Sequence, residues 1–191
     1  MANTPKNTVE YGLQSVHYAI ATIDPSTQAV TYGTPVAIPG AVNLNMEQSG
    51  DSNIFYADNR AYFTSFSAAG YEGDLEIATV PESFLIDVLG YTKDGDMLVE
   101  NTNAVNKQFA LLFEFSGDSQ STRHVLYLCT ASRPAIGSET TGENVEVKTR
   151  TLNLTAAARP DNHNIYARAG KDDTRYESWF TSVPEPSSSN P

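Results

Sequence analysis

The sequence predicts a mainly β domain with one flanking α-helix. Three observations lead to this fold class. Apolar residues alternate with polar ones in short runs, turn-forming residues separate the runs, and one segment repeats its apolar residues at helical spacing. The length of 191 residues and a hydrophobic fraction of 40% suit a folded domain with a real core and exclude a globally disordered chain.

Seven runs have the composition and alternation of strands. They are residues 15–22, 36–46, 73–80, 108–115, 122–132, 144–156 and 165–169. In the second run, Pro39-Gly40 predicts a kink or bulge. In the sixth run the apolar residues change phase, which predicts a bulge or bend near residues 149–151. The sequence GDSQS (117–121) predicts the turn of a hairpin between the fourth and fifth runs.

Residues 81–90 are predicted to contain the helix. Pro81 suits a first helical turn, and Gly90 suits the position just after the helix ends. Between them lies an apolar stripe that we expect to pack on the core, made of Phe84, Leu85, Val88 and Leu89.

Residues 47–70 do not fit compact strand pairing and are interpreted as an extended loop or arm. A polar stretch leads into five aromatic side chains: Phe55, Tyr56, Tyr62, Phe63 and Phe66. Long excursions in a compact domain are usually functional or disordered, and this aromatic content argues against disorder. A small satellite core under the loop and a contact surface are the two interpretations that remain.

The charge and cysteine content exclude several classes of protein. A net charge of −11 repels nucleic-acid phosphates, and a single cysteine, Cys129, excludes a disulfide-built scaffold. The first 100 residues hold 13 of the 23 acids but only 3 of the 12 Lys and Arg residues, which serves solubility or repels an anionic partner. We find no secretory signal and no apolar stretch of membrane-spanning length, so we expect a protein made in a reducing cytoplasm and no membrane partner.

The search for catalytic and metal-binding motifs yields no site. The sequence has no GxSxG, Walker A, HExxH or CxxC motif, and its three histidines, His17, His124 and His163, are far apart. Asp94-Gly95-Asp96 lacks the later ligands of a calcium loop and is interpreted as a turn. We therefore expect a protein that is not an enzyme and that needs no cofactor or metal.

Eight stretches, in order along residues 9–182, resemble the tail tube proteins (major tail proteins) of phages with long non-contractile tails. They are VEYGLQSVHYA (9–19), IPGAV (38–42), FYADN (55–59), GYEGDLE (70–76), ESFLIDVLG (82–90), FALLFEF (109–115), TRHVLYLCTASRP (122–134) and SWF (178–180). None is a catalytic signature, so the specificity of the resemblance lies in their order.

The resemblance implies a structural virion protein. Members of that family form a β-sandwich flanked by a helix and assemble into hexameric rings. The rings stack into the hollow tube through which the genome leaves the capsid. For this chain it implies a tail tube domain at residues 1–182. The Pro/Ser-rich composition of residues 183–191 predicts a disordered tail, and we do not expect the C-terminal immunoglobulin-like domain that some relatives append. The resemblance also implies assembly in the host cytoplasm with tape measure, tail terminator and distal tail proteins, while DNA crosses the lumen without specific binding.

Two sets of residues are predicted to serve this role. Aromatic side chains dominate interface hot spots, so the excursion supplies the inter-ring or inter-subunit contacts: Phe55, Tyr56, Asp58, Arg60, Tyr62 and Phe63. Acidic side chains on one face of a strand would keep DNA from adhering to the tube wall, which makes Glu72, Asp74 and Glu76 the lumen-facing candidates. The solvated outer face of a strand is the alternative for this second set.

The alternative function is a monomeric β-sandwich module that binds carbohydrate or protein through exposed aromatic side chains. That function predicts a monomer with a concave aromatic patch, whereas a tube protein associates with itself.

Overall fold

The computed structural model describes residues 11–118, 121–137 and 148–186, with the backbone alone at 51–53, 57 and 64–68. This part of the chain is mainly strand with one short helix, as predicted. The elements are β1 (Leu13–Ile23), β2 (Val30–Tyr32), β3 (Val36–Ala37), β4 (Ala41–Ala57), β5 (Arg60–Ile77), α1 (Glu82–Asp87), β6 (Thr92–Asp94), β7 (Met97–Val99), β8 (Phe109–Phe115), β9 (Arg123–Ala131), β10 (Arg150–Ala157) and β11 (Tyr166–Ala169).

Most of the strands form one curled antiparallel sheet. Its order is β2-β1-β8-β9-β10-β5-β4, with β3 also paired to β1 and β11 also paired to β9. Strand β8 pairs with one edge of β9. On the other edge of β9, residues 128–131 pair with β10 and residues 123–126 pair with β11. The sheet therefore splits at β9, and in the described residues it does not close into a barrel. The architecture is consistent with a β-sandwich.

The main core fills the inside of the curl. Alternate side chains of β8 and β10 point into it. Strand β10 is the described part of the predicted strand 144–156, and it keeps strict alternation with no bulge at 150–151. The earlier half of that predicted strand, 144–147, lies outside the described residues. The largest buried side chains of this core include Tyr18, Leu75, Ile77, Phe84, Phe109, Leu111, Leu126 and Leu152.

A second apolar cluster lies on the opposite face of the central strands. Ala110 and Leu112 of β8 are buried there beside Val125 and Tyr127 of β9. Trp179, from the C-terminal segment, covers them. Strand β8 is consequently buried on both faces, which suits its continuous apolar run at residues 109–113.

Helix α1 forms inside the predicted range 81–90. Pro81 precedes it with extended backbone, and Val88 ends it. Gly90 then adopts a φ of +73°, which turns the chain away at little steric cost for glycine. Phe84 packs edge-on against Tyr18 and Phe109, so the stripe faces the core as expected.

Two expectations about irregular segments are corrected. Residues 47–70 are not a loop, because β4 and β5 continue through them as a paired hairpin. Residues 183–186 are not a free tail, because the Tyr127 hydroxyl donates to the Pro184 carbonyl oxygen over 3.1 Å and Arg159 binds Glu185. Residues 187–191 of the predicted tail lie outside the described residues.

Candidate assembly surfaces

The hairpin of β4 and β5 extends beyond the body of the sheet as an arm, residues 50–68. Strand β5 pairs with β10 only from Gly70 to Ile77, whereas its pairing with β4 continues to Ala57–Arg60. The arm is thus two strands wide. At about 3.4 Å per residue, the seven steps from Gly50 to Ala57 make it roughly 24 Å long.

A tight turn at Asp58-Asn59 closes the arm. Both residues have positive φ, +50° and +59°, which is the conformation of a type I′ two-residue hairpin turn. Asp and Asn tolerate this left-handed region better than other non-glycine residues. The sequence carried a signal for this turn, because Asp58-Asn59 lies between two aromatic runs and both residue types favour turns with positive φ.

The tip of the arm gathers all six of the predicted contact residues. Phe55 and Phe63 are directly opposite each other across the two strands. The exposed fractions are 60% for Phe55, 66% for Tyr56, 66% for Tyr62 and 61% for Phe63, and Asp58 and Arg60 are exposed beside them. Ile54, which the sequence analysis did not select, is also exposed. In a single subunit these aromatic side chains are therefore not a satellite core.

The three predicted acidic side chains, which we call the acidic ladder, share one face of β5. They alternate with buried Leu75 and Ile77; Glu72 is exposed, and Asp74 and Glu76 are half-buried. Among the described residues none of the three forms an ion pair. The Ser49 hydroxyl donates to Glu72 over 3.1 Å, and the Thr149 hydroxyl donates to Glu76.

Neighbouring strands extend the polar character of this face. Glu72, Asp74 and Glu76 are paired with Glu47, Asn45 and Asn43 of β4 on one side, and with Thr155, Asn153 and Thr151 of β10 on the other. The two carboxylates of Glu47 and Glu72 are opposite each other, a cross-strand arrangement that is destabilising by itself. The face is therefore acidic without compensating basic residues in these registers.

A cleft of about 370 Å³ opens where the sheet splits, between β4 and β5 on one side and β8, β9 and β11 on the other. His124 of β9 lies in its wall and stacks on Phe113, with 5.1 Å between ring centroids. Burial is the main reason that the pKa of His124 falls to about 4, so the imidazole is neutral at pH 7.

Comparison with known proteins identifies the family of this chain. The sequence model of the family described as "Phage tail tube protein" matches residues 5–184. The chain belongs to this family. Among curated proteins no sequence matches it.

One solved structure similar to this tail tube protein is described as "Cryo-EM structure of the anti-feeding prophage (AFP) baseplate, 6-fold symmetrised". The two chains are 11% identical with a TM-score of 0.44, and the match covers 87% of this chain and 98% of the other.

Family membership makes this chain a structural tail protein and a virion component.

The histidines of the tail tube protein have separate environments, since His17 Nδ1 lies 2.8 Å from the Ser15 carbonyl oxygen whereas His124 faces Tyr166. Burial raises the pKa of the Cys129 thiol to about 12. Within residues 11–118, 121–137 and 148–186, no cluster of His, Cys, Asp or Glu could hold a metal ion. Among the described residues no helix is long and apolar enough to span a membrane, since α1 has six residues.

The sequence analysis missed the cleft and the C-terminal attachment of the tail tube protein. The attachment centres on Arg159, which is buried and binds Asp161 and Glu185, each at 2.6 Å. The Arg159 guanidinium also lies 5.4 Å from the ring centroids of Tyr32 and Tyr127. Apart from Asp161, which is two residues away, the partners are far from Arg159 in sequence, so no spacing pattern pointed to them.

Proposed function

We propose that this chain assembles into hexameric rings that stack into the hollow tail tube of a phage with a long non-contractile tail. The assembled tube is the conduit through which the genome enters the host. The observation that carries the proposal is strand β4, 17 residues long, which ends the sheet with an edge that pairs with no other described strand and continues into the arm.

An unpaired edge of this length is a template for pairing with another chain. The opposite end of the sheet consists of β2 and β3, which are 3 and 2 residues long. If the β4 edge of one subunit pairs near that end of its neighbour, every subunit uses two different surfaces. Such head-to-tail contacts close into rings and also allow open helical stacks. Ring closure would join the open sheets into one continuous barrel and remove the free edges.

The arm supports contacts between rings. A two-stranded ribbon roughly 24 Å long that carries exposed aromatic side chains at its tip is costly to leave in water. We propose that Phe55, Tyr56, Asp58, Arg60, Tyr62 and Phe63 contact a subunit of the adjacent ring. The aromatic side chains lie on a projecting ribbon, which does not resemble the concave patch expected of a carbohydrate-binding module.

The acidic ladder supports a lumen-facing surface. Glu72, Asp74 and Glu76 have no described ion-pair partner, and the residues paired with them are acidic or uncharged. A wall of this charge repels phosphates and therefore lets DNA pass without binding it. The proposed partners are other copies of this chain together with the tape measure, tail terminator and distal tail proteins. Assembly takes place in the host cytoplasm.

The test is the assembly state of the purified chain. Sedimentation velocity and negative-stain electron microscopy over a wide concentration range, with and without a tail initiator complex, are expected to show rings or tubes that increase with concentration. A chain that stays monomeric in every condition, including a lysate that contains the other tail proteins, contradicts the proposal and favours the monomeric binding module.

A further inference from the structure

The cleft beside β9 has the dimensions and lining of a receptor for an aromatic side chain. Its volume is about 370 Å³, and an apolar cavity of about 150 Å³ already holds a benzene molecule. Apolar and aromatic side chains from five strands line it, among them Leu44, Met46, Tyr71, Phe115, Leu126 and Tyr166. The Tyr71 and Tyr166 rings lie 6.1 Å apart, tilted toward each other.

His124, in the wall of the cleft, has one buried ring nitrogen without a hydrogen-bond partner among the described residues. Its side chain is 4% exposed, and Nδ1 lies 2.6 Å from the Tyr166 hydroxyl oxygen. The other ring nitrogen, Nε2, is buried and has no hydrogen-bond partner among the described residues. A buried polar atom in this state costs about 1–3 kcal/mol. A hydroxyl group suits it in either tautomer, because a hydroxyl both donates and accepts.

We infer that the cleft receives the aromatic tip of the arm of a second copy of this chain. This inference rests on the proposed function and names the acceptor for the arm. The tip offers Tyr56 and Tyr62, which supply the ring and the hydroxyl together, and Phe55 and Phe63, which supply the ring alone.

The arm cannot reach the cleft of its own subunit. Met46 in the cleft wall and Phe55 at the tip belong to the same continuous strand β4. Nine residue steps at about 3.4 Å separate them by roughly 30 Å. The contact must therefore join two copies, and each copy contributes one arm and one cleft. That arrangement is head-to-tail and propagates from subunit to subunit.

Charge complementarity supports the same pairing. Arg168 lines the cleft, is exposed, and forms no ion pair among residues 11–118, 121–137 and 148–186. The turn of the arm carries two exposed charged side chains, Asp58 and Arg60, and the inferred contact places Asp58 toward Arg168. In a chain with net charge −11, an exposed arginine in the cleft reduces repulsion between two copies at this point.

Cysteine crosslinking tests the contact directly. The native thiol of Cys129 is fully buried with a raised pKa, so it is inert and needs no replacement. Tyr56→Cys and Met46→Cys subunits are prepared separately, mixed, assembled and oxidised. A disulfide-linked dimer is expected from the mixture and not from either variant alone. Val105→Cys, which is 79% exposed and does not line the cleft, replaces Met46→Cys in the control mixture.

A charge exchange gives an independent measurement. Asp58→Arg and Arg168→Asp are each expected to raise the concentration needed for tube assembly about fivefold or more, and the double variant is expected to recover most of the loss. If the wild-type chain does not assemble, the proposed function fails and the inference fails with it. If wild-type tubes form, no crosslink exceeds the Val105→Cys control and the double variant shows no recovery, the cleft is not the acceptor and the proposed function stands.

Discussion

The indole nitrogen of Trp179 donates a hydrogen bond to the backbone carbonyl oxygen of His124 over 3.1 Å. Strand β9 therefore holds the C-terminal segment on one face and, through the His124 side chain, forms the cleft wall on the other. Arg123 reinforces the attachment, since its guanidinium lies 3.8 Å from the ring centroid of Tyr176 and donates to the Tyr176 carbonyl oxygen. The C-terminal segment is thus part of the folded domain.

Removal of the Trp179 side chain is expected to destabilise the subunit. Trp179→Ala leaves a cavity over Leu112 and Tyr127 and should cost about 3–5 kcal/mol in the free energy of unfolding. Trp179→Phe keeps part of the packing and loses the hydrogen bond, so its cost should be smaller. Chemical denaturation at concentrations below assembly measures both. Equal stability of Trp179→Ala and wild type would show that the segment does not support the sheet.

Gly73 is expected to be essential where β5 passes between β4 and β10. A Cβ added there would lie 1.8 Å from the Asn45 carbonyl oxygen, a backbone atom that cannot move without disturbing the β4 pairing. Gly73→Ala should therefore lower the free energy of unfolding by about 1–3 kcal/mol or more. Gly137→Ala is the matched control, because among the described residues no atom beyond its chain neighbours lies within 4 Å of its added Cβ. Similar denaturation midpoints for the two variants would contradict this expectation.

Stability is expected to fall between pH 6.5 and pH 4 because of His124. Burial and then Arg168 lower its folded-state pKa to about 4 from 6.5, while Asp118 acts in the opposite direction. The unfolded chain thus takes up the proton first as the pH falls. The free energy of unfolding is unaffected by His124 above about pH 6.5, and protonation of His124 in the unfolded chain lowers it by up to roughly 3 kcal/mol near pH 4. Unfolding free energies measured against pH should show a shallower slope for His124→Phe; identical slopes would exclude His124 as the cause.

The local elements were predictable because short-range patterns specify them. Alternation located β1, β8 and β9, and Pro81 with Gly90 bracketed the helix. The Asp94-Gly95-Asp96 turn was correctly interpreted, and it joins β6 to β7, two strands of three residues that are too short to show alternation. The segment that covers the second face of β8 was not predictable, because it follows some 65 residues later around Trp179.

The candidate surfaces were predictable only in part. The aromatic residues of the arm were found by composition, but their strand conformation was missed because Asp58-Asn59 was not interpreted as a type I′ turn. The alternation around Leu75 located the acidic ladder. The cleft depends on the division of the β9 edge between β10 and β11, which is a property of sheet topology and leaves no local sequence pattern.

Loss of the arm aromatics is expected to impair assembly and leave the monomer intact. Phe55 and Tyr56 are mostly exposed in the subunit, so Phe55→Ala with Tyr56→Ala should change the free energy of unfolding little. If both are interface anchors, each contributes about 2 kcal/mol or more to association. Sedimentation should show few tubes, whereas the control Val105→Ala assembles normally. A double variant that loses monomer stability but still forms tubes would make these residues part of the subunit core.

Reversal of the acidic ladder is expected to slow DNA passage without preventing tube formation. Glu72→Lys, Asp74→Lys and Glu76→Lys together replace three negative side chains by positive ones on the face opposite buried Leu75 and Ile77. If this face lines the lumen, stacked rings present DNA with repeated basic belts, and each lysine can displace counterions from a passing phosphate. Ejection rates from assembled particles should fall, most strongly at low salt, and purified tubes should retain DNA. The triple variant Glu72→Gln, Asp74→Asn and Glu76→Gln removes the charge without reversing it and should show weaker retention. Normal ejection by the lysine variant at both low and high salt, with normal tubes, would place the ladder on the outside of the tube.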